Sequence, residues 1–363
     1  SDATASEQTV DMMLKRGIVV TGTLSELDAE SAPSGGIRFV PLPGNEFNDQ
    51  PGYDGYKRSR VSQSIVDGKF RLVVIPGPGV LMVQASSGGR TEGERVAYQQ
   101  VNLSEDQKQK LGITGDGKDR RFTAAGNSLE FLRHQNAIAC VDFEEGSGPH
   151  EIDMTVSRGR SLDVKIIDAD EKPVDGVFVS GVTEDWPLTA QLSEPQCTVR
   201  GLNSERPRRV LFLHVDRNLA GTVTLKGDEA TPVTVKLGPA GSVRGRAIDP
   251  SGEPIADTEL KINFFHENAS ELYRFRGEDL VTTTTDSDGR FVINHVVPGE
   301  RFNLDGRMNG ETIRAQAKPE LTKRLGFDPE KGVRRLMAPD GGDHDFGDLL
   351  FGPPFGNTLP WPK

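Results

Sequence analysis

The residues able to do chemistry are few and scattered along 363 positions. The six histidines are His134, His150, His214, His266, His295 and His344. No two have the i, i+4 spacing that puts a pair of imidazoles on one helix face, so zinc-hydrolase chemistry has no local support. His344 stands between Asp343 and Asp345, a set that suits either a metal or a solvated turn. His214 ends the apolar run from Val210 to Leu213 and reads as a core residue of a strand. Asp286-Ser-Asp288-Gly289 begins as a calcium loop begins, which makes Asp286 and Asp288 candidate calcium ligands. The later ligands and the closing Glu are missing, however, and the same letters specify a hairpin turn. Glu144-Glu145 and Asp185 belong to an acidic chain and need geometry before they become acid/base partners. There is no Gly-x-Ser-x-Gly elbow and no phosphate loop, and no helix signal follows Gly77-Pro-Gly79. Trp186, Tyr53, Tyr56 and Tyr273 are the loop aromatics that could stack on a sugar ring, with Trp186 the strongest and a hydrophobic plug its alternative. No catalytic residue and no cofactor is assigned.

Cys140 and Cys197 are too few for a disulfide scaffold and lack metal-ligand spacing. They are read either as one disulfide in an oxidising compartment or as two small buried hydrophobes. The net charge of −11, from 43 basic and 54 acidic residues, argues against a nucleic-acid surface and against anionic membranes. No window reaches the roughly 20 apolar residues of a membrane-spanning helix. The polar start, Ser1-Asp-Ala-Thr-Ala-Ser-Glu, has no signal-peptide pattern, so a mature product or a segment of something longer is expected.

What must position these residues is a set of short strands. A hydrophobic content of 35% with 41 Gly and 23 Pro suits strands and turns better than long helices. The most informative stretch is Gly241 to Arg307. There Val243, Gly245 and Ala247 precede an Asp249-Pro-Ser-Gly252 turn, and Pro254-Ile255-Ala256 resumes the chain. Further on, Asp286-Ser-Asp-Gly289 feeds an alternating strand with Phe291 and Ile293 on one face, which Pro298-Gly299 ends.

These two halves at this spacing resemble the carboxypeptidase regulatory-like domain, a transthyretin-like or starch-binding-like β-sandwich of about seven strands. Tandem copies similar to these occur in large envelope proteins of planctomycete-type bacteria. The resemblance is strong over 241–307, fair over 14–85, degenerate over 157–239, and absent from 86–135 and the tail. It implies an accessory module and transfers no catalytic residue.

The expected fold is therefore all-β: tandem Ig-like or transthyretin-like antiparallel sandwiches, with a short helical insertion in the first. A leader covers 1–13. The first sandwich covers 14–156, with Val66-Asp-Gly-Lys-Phe70 mirroring Asp288-Gly-Arg-Phe291 and with an insertion at 86–135. Within that insertion Ser104 to Gly112 reads as a short helix, and Asn127 to His134 as another turn or two. The second sandwich covers 157–239 and aligns Cys197 with Phe70 and Phe291, which favours the buried-thiol reading. The third covers 240–350, with a short helix at Pro319–Gly326 and a closing strand at Asp345–Leu350, followed by a Pro/Gly-rich tail at 351–363. With no flexible linker at Gly238-Pro-Ala240, the second and third sandwiches should abut. The expected function is a non-enzymatic structural or protein-interaction module of a larger extracytoplasmic protein, at the cell surface, in the periplasm or secreted. Its partner would be a protein or a polysaccharide of the envelope, with no nucleic acid and no membrane insertion. Two alternatives stand beside it: a carbohydrate-binding module, and an accessory region of a peptidase or other enzyme lying outside this chain.

Overall fold

A computed structural model describes residues 16–27, 32–42, 45–47, 61–86, 97–111, 135–182, 189–265, 272–273, 281–328, 334–354 and 359–361. The first compact unit comprises residues 1–95 and 101–157, and the second comprises 96–100 and 158–363.

The first unit contains β1 (Ile18–Glu26), β2 (Ser34–Pro41), β3 (Val61–Ile65), β4 (Lys69–Val74) and β5 (Gly77–Ser86). After these come α1 (Glu105–Lys110), β6 (Ala137–Phe143), β7 (His150–Glu151) and β8 (Met154–Val156). One sheet runs β4-β1-β7 with β8 also on β1, and the other runs β3-β2-β5-β6. Period-2 alternation closes them face to face: Val20, Leu24 and Leu72 from the first sheet and Ile37 and Phe39 from the second are all buried. Helix α1 is short and buries none of its own residues, but it starts on a capping box. The Ser104 hydroxyl accepts from the Gln107 N–H, and the Gln107 side chain accepts from the Ser104 N–H. Leu111, at its C-cap, packs with Val80, Met82 and Ile138 and half-buried Cys140.

The second unit opens with β9 (Arg160–Ile167), β10 (Phe178–Ser180), β11 (Thr189–Gln191), β12 (Gln196–Leu202), β13 (Arg208–His214), β14 (Leu219–Leu225), β15 (Val233–Lys236) and β16 (Gly238–Pro239). It continues through β17 (Gly241–Ile248), β18 (Glu259–Phe265), β19 (Leu272–Tyr273), β20 (Thr282–Thr284), β21 (Arg290–Val296), β22 (Arg301–Met308) and β23 (Glu311–Gln316). It ends with α2 (Pro319–Arg324), β24 (Leu336–Met337) and β25 (Asp343–Gly352). Sheets β12-β9-β15 and β11-β10-β13-β14-β16 face each other over one core. The last part is a single sheet path, β19-β18-β22-β23-β25-β17-β21, because the long strand β25 pairs with β17 from Asp343 to Leu350 and with β23 from Leu350 to Gly352.

One framework recurs three times. The first strand of each set is flanked by an antiparallel strand on one side and a parallel one on the other. The N–H of Leu24, Ile166 and Ala247 donates to the carbonyl of Gly68, Pro195 and Gly289, at 2.6, 2.9 and 2.7 Å. The same three residues pair in parallel with Met154, Val235 and Leu349. Two residues earlier, Gly22 faces Phe70, Val164 faces Cys197 and Gly245 faces Phe291. A Cβ on Gly22 would lie 1.8 Å from the Ile152 carbonyl oxygen and 2.7 Å from Phe70 Cζ, and one on Gly245 2.8 Å from the Gly347 carbonyl oxygen and 3.0 Å from Phe291 Cζ, so neighbouring backbone and ring together take the space each glycine leaves. In the middle copy the bulk sits on Val164, and a small Cys197 completes the pair.

Sheet β10-β13-β14 is apolar on both faces. Val177, Val179, Val210 and Phe212 belong to the second core, while Phe178, Leu211, Leu213 and Ala220 belong to the same buried cluster as Val243, Phe302 and Phe351. The continuous apolar run of β13 has this cause, since a strand covered on both sides has no solvent face to alternate toward. Across the same junction Arg209 Nε and Nη2 lie 2.6 and 2.5 Å from Glu300 Oε1, and the His295 ring contacts Asn218 Oδ1 at 2.9 Å.

Candidate functional site

The turns come first, since they hold the carboxylates that the sequence singled out. Asp286 Oδ1 accepts the N–H groups of Asp288 and Arg290 at 2.9 and 2.7 Å. Asp288 Oδ2 is 2.6 Å from Arg290 Nη1. Both carboxylates are thus engaged by the turn that precedes Phe291. Asp168 and Asp249 build the corresponding turns earlier in their repeats. Asp168 Oδ1 accepts from the N–H groups of Asp170 and Lys172, and Asp249 Oδ1 from those of Ser251 and Glu253. The Arg217 side chain, then the Lys172 N–H, holds the Asp168 carboxyl below its usual range; the Ser251 hydroxyl does the same for Asp249.

Among the described residues the histidines do not converge. His344 lies 3.2 Å from Asp340 Oδ1, while its sequence neighbours turn elsewhere: Asp343 accepts from Ser242 Oγ at 2.5 Å and Asp345 pairs with Arg244 at 3.1 Å. Strand alternation puts His344 on the face opposite Asp343 and Asp345, and each aspartate is taken up by its own neighbour on β17. His214 is half-buried at the end of β13, not inside a core, and its Nδ1 accepts from the Arg217 N–H at 3.3 Å. His150 Nε2 contacts Ser147 Oγ at 2.8 Å, and its ring sits 4.7 Å from that of Phe143. No carboxylate among the described residues hydrogen-bonds its other ring nitrogen, so the pair lacks the orienting group of a nucleophilic dyad. Among the described residues no group of three or more His, Cys, Asp or Glu is gathered as metal ligands.

Gly77-Pro-Gly79 opens β5, and the Asn45 amide donates to the Pro76 and Pro78 carbonyls at 2.9 Å each, tying the loop to a strand. Trp186, Tyr53, Tyr56, Asp185, His134, His266 and the expected 127–134 turns lie outside the described residues. Tyr273 falls on β19, where only its backbone is described.

Both cysteines are free thiols. Cys197 adjoins a groove of about 520 Å³ lined by Asp163, Lys165, Glu194, Gln196, Thr198 and Pro232. Burial, with Asp163 adding to it, pushes its thiol up to about 12. A thiol protonated at neutral pH is no nucleophile. The groove's polar groups bind one another: Thr198 Oγ1 donates to Asp163 Oδ1 at 2.9 Å, and Gln196 Nε2 to Glu194 Oε2 at 3.0 Å. Nothing in the sequence marked this groove, because it joins residues 163–198 with Pro232 across a parallel strand pair.

The class this geometry defines is an all-β protein of tandem Ig-like sandwiches, mostly antiparallel but mixed where each first strand takes a parallel neighbour. No family model matches the chain, and neither does any curated protein. Among solved structures it is similar to the Bacillus anthracis TIE protein, at 9% identity over 93% of this chain, with a TM-score of 0.21. The chain spans about half of that protein, 51% of its length. It is also similar to a streptococcal ancillary pilin, at 12% identity over 79% of this chain and 88% of the pilin, with a TM-score of 0.20. A third is the full-length major pilin SpaD from Corynebacterium diphtheriae, at 9% identity over 95% of this chain and 100% of the pilin, again with a TM-score of 0.20. Likeness of this size carries no argument about function. No helix among the described residues is long and apolar enough to cross a membrane.

Proposed function

We propose that the chain is a non-enzymatic structural or interaction module, made of three carboxypeptidase regulatory-like sandwiches at 14–156, 157–239 and 240–350, within a larger extracytoplasmic protein. The observation that carries this reading is the recurrent framework around Leu24, Ile166 and Ala247, with the same donor bond and the same parallel neighbour each time. Residues invested in this way hold strands in register. Asp286 and Asp288 serve the turn before Phe291 in the same scheme, and no calcium is needed to explain them. An envelope protein or polysaccharide is the partner this role implies, with Trp186, Tyr53, Tyr56 and Tyr273 the side chains to examine for sugar contact.

The test is twofold. The purified chain is assayed for peptidase and glycosidase turnover and applied to an array of cell-wall glycans. No turnover is expected. Turnover abolished by a point substitution such as S147A or H150A would overturn the reading. Saturable glycan binding lost in W186A would replace it with the carbohydrate-binding alternative.

A further inference from the structure

The outer face of the last sheet holds a short segment from a distant part of the chain. In β23, Ile313 and Ala315 belong to the core, so Arg314 and Gln316 face the other way. In β25, Leu349 and Phe351 belong to the core, so Leu350 and Gly352 share the outer face with Gln316, which lies directly opposite Leu350. A polar side chain on an outer face is ordinarily solvated, yet Gln316 is 2% exposed. Its amide engages a single residue. Gln316 Nε2 donates to the Leu359 carbonyl at 2.8 Å, and Gln316 Oε1 accepts the Leu359 N–H at 3.0 Å. A primary amide presents a donor and an acceptor together, as a residue of a neighbouring antiparallel strand does. Gln316 therefore offers one rung of a ladder to an extended segment lying over the sheet. Pro360 has no N–H and cannot donate a further rung.

Two other contacts select side chains. A Cβ on Gly352 would lie 2.1 Å from Leu359 Cδ1, so the leucine takes the space that the missing side chain leaves. Gly352 has no left-handed φ, so that space, rather than backbone freedom, is what glycine supplies here. Lys318 Nζ lies 5.1 Å from the centroid of the Trp361 ring, within cation–π reach, and 3.6 Å from Asp348 Oδ2. Leu359 and Trp361 are half-buried and Pro360 is exposed, so the segment sits in a surface site and not in a core. None of these contacts uses the covalent link through residues 355–358. The link contributes only a high effective concentration of the segment.

We propose that Gln316, Gly352 and Lys318 form a peptide-binding site for an extended Leu-Pro-Trp segment, filled in cis by residues 359–361 and able to take the same segment from a second copy of this chain. Gln316 holds the backbone, Gly352 admits the leucine and Lys318 meets the aromatic ring. The site goes beyond the module reading and stands whether or not that reading holds.

A fluorescein-labelled peptide carrying residues 356–363 is titrated into the full chain and into its Leu359→Asp variant, with fluorescence polarisation as the readout. Leu359→Asp empties the site in cis and alters no strand. Saturable binding is expected with this variant, and binding about tenfold or more weaker with the wild type, whose own segment competes. A peptide carrying Asp in place of its leucine should bind neither protein. Adding Gly352→Ala or Gln316→Ala to the Leu359→Asp chain should weaken binding by about tenfold, one by filling the leucine space and the other by removing the hydrogen-bond pair. Gly352→Ala keeps an extended backbone, so the test holds even where Gln316→Ala folds poorly. In the unlabelled wild type, hydrogen exchange at the Leu359 N–H should be slow and should accelerate with Gly352→Ala. The proposal is overturned if the Leu359→Asp chain does not bind the peptide, if it binds the Asp-bearing peptide equally well, or if Gly352→Ala leaves both binding and exchange unchanged.

Discussion

At the level of single residues, the fold depends on how each first strand is matched to the strand beside it. Gly22 with Phe70 and Gly245 with Phe291 place a ring over a backbone that has no side chain, while Val164 with Cys197 shares the bulk the other way round. Phe291→Ala removes an aromatic that is 4% exposed and should destabilise its unit by about 3–5 kcal/mol in a denaturant melt. A loss under about 1 kcal/mol would place Phe291 outside any core. The middle pair makes a sharper prediction. Cys197→Phe alone should be destabilising, because Val164 occupies the place of the missing glycine. In a Val164→Gly background the same change should cost at least about 1 kcal/mol less, a coupling that a double-mutant cycle measures directly. Simple additivity would show that the two side chains do not share one space. The thiols supply a second check. With Cys197 pushed up to about 12 by burial, and Cys140 raised for the same reason, neither should react readily with a disulfide reagent at pH 8 until denaturant is added.

At the scale of elements, the turns before the paired strands are held by carboxylates. Asp168 and Asp249 each accept two backbone N–H groups, and both titrate below an ordinary aspartate. A folded pKa below the unfolded value of about 3.9 gives stability that is fully present above that pH and is lost as pH falls through the folded value. Glu300 has the opposite sign. Burial, only partly offset by Arg209, raises its pKa, so acidification toward the carboxylate range removes a destabilising charge. Melting profiles of the full chain should therefore change little from pH 7 to about 5 and decline below about 4. Asp249→Asn should flatten that acid limb at the expense of stability at pH 7. An acid limb of unchanged depth in this variant would remove the Asp249 turn from the explanation.

At the scale of the molecule, the second compact unit behaves as one object because β10 and β13 are buried on both faces. Leu211 belongs to the middle sandwich by strand pairing, yet it is buried with Phe302 of the last. In calorimetry of the full chain, Leu211→Ala and Phe302→Ala should lower the same transition, by about 2–5 kcal/mol each. If each variant lowered a different transition, the two sandwiches would be thermodynamically separate.

The sequence alone determined the fold class. Period-2 alternation in Ile18–Leu24 and Arg290–Ile293, together with Asp-Gly and Pro-Gly turns, leaves antiparallel sandwiches as the natural solution, because those signals act within a few residues of one another. It also located the Ser104 cap and α1, the helix at Pro319 and the closing strand near Phe346, whose causes are equally local. Tertiary structure decided everything that depends on partners distant in sequence. The run Val210–Leu213 reads simply as apolar, and only packing shows that alternate residues serve two cores. Asp343-His344-Asp345 looks like a ligand set until strand alternation turns His344 away from the two aspartates. Arg301, Asn303 and Asp305 alternate visibly, but a period of two does not say which face is covered. That Asn303 and Asn263 are both buried there is decided by tertiary packing, a free-energy term that no local pattern encodes.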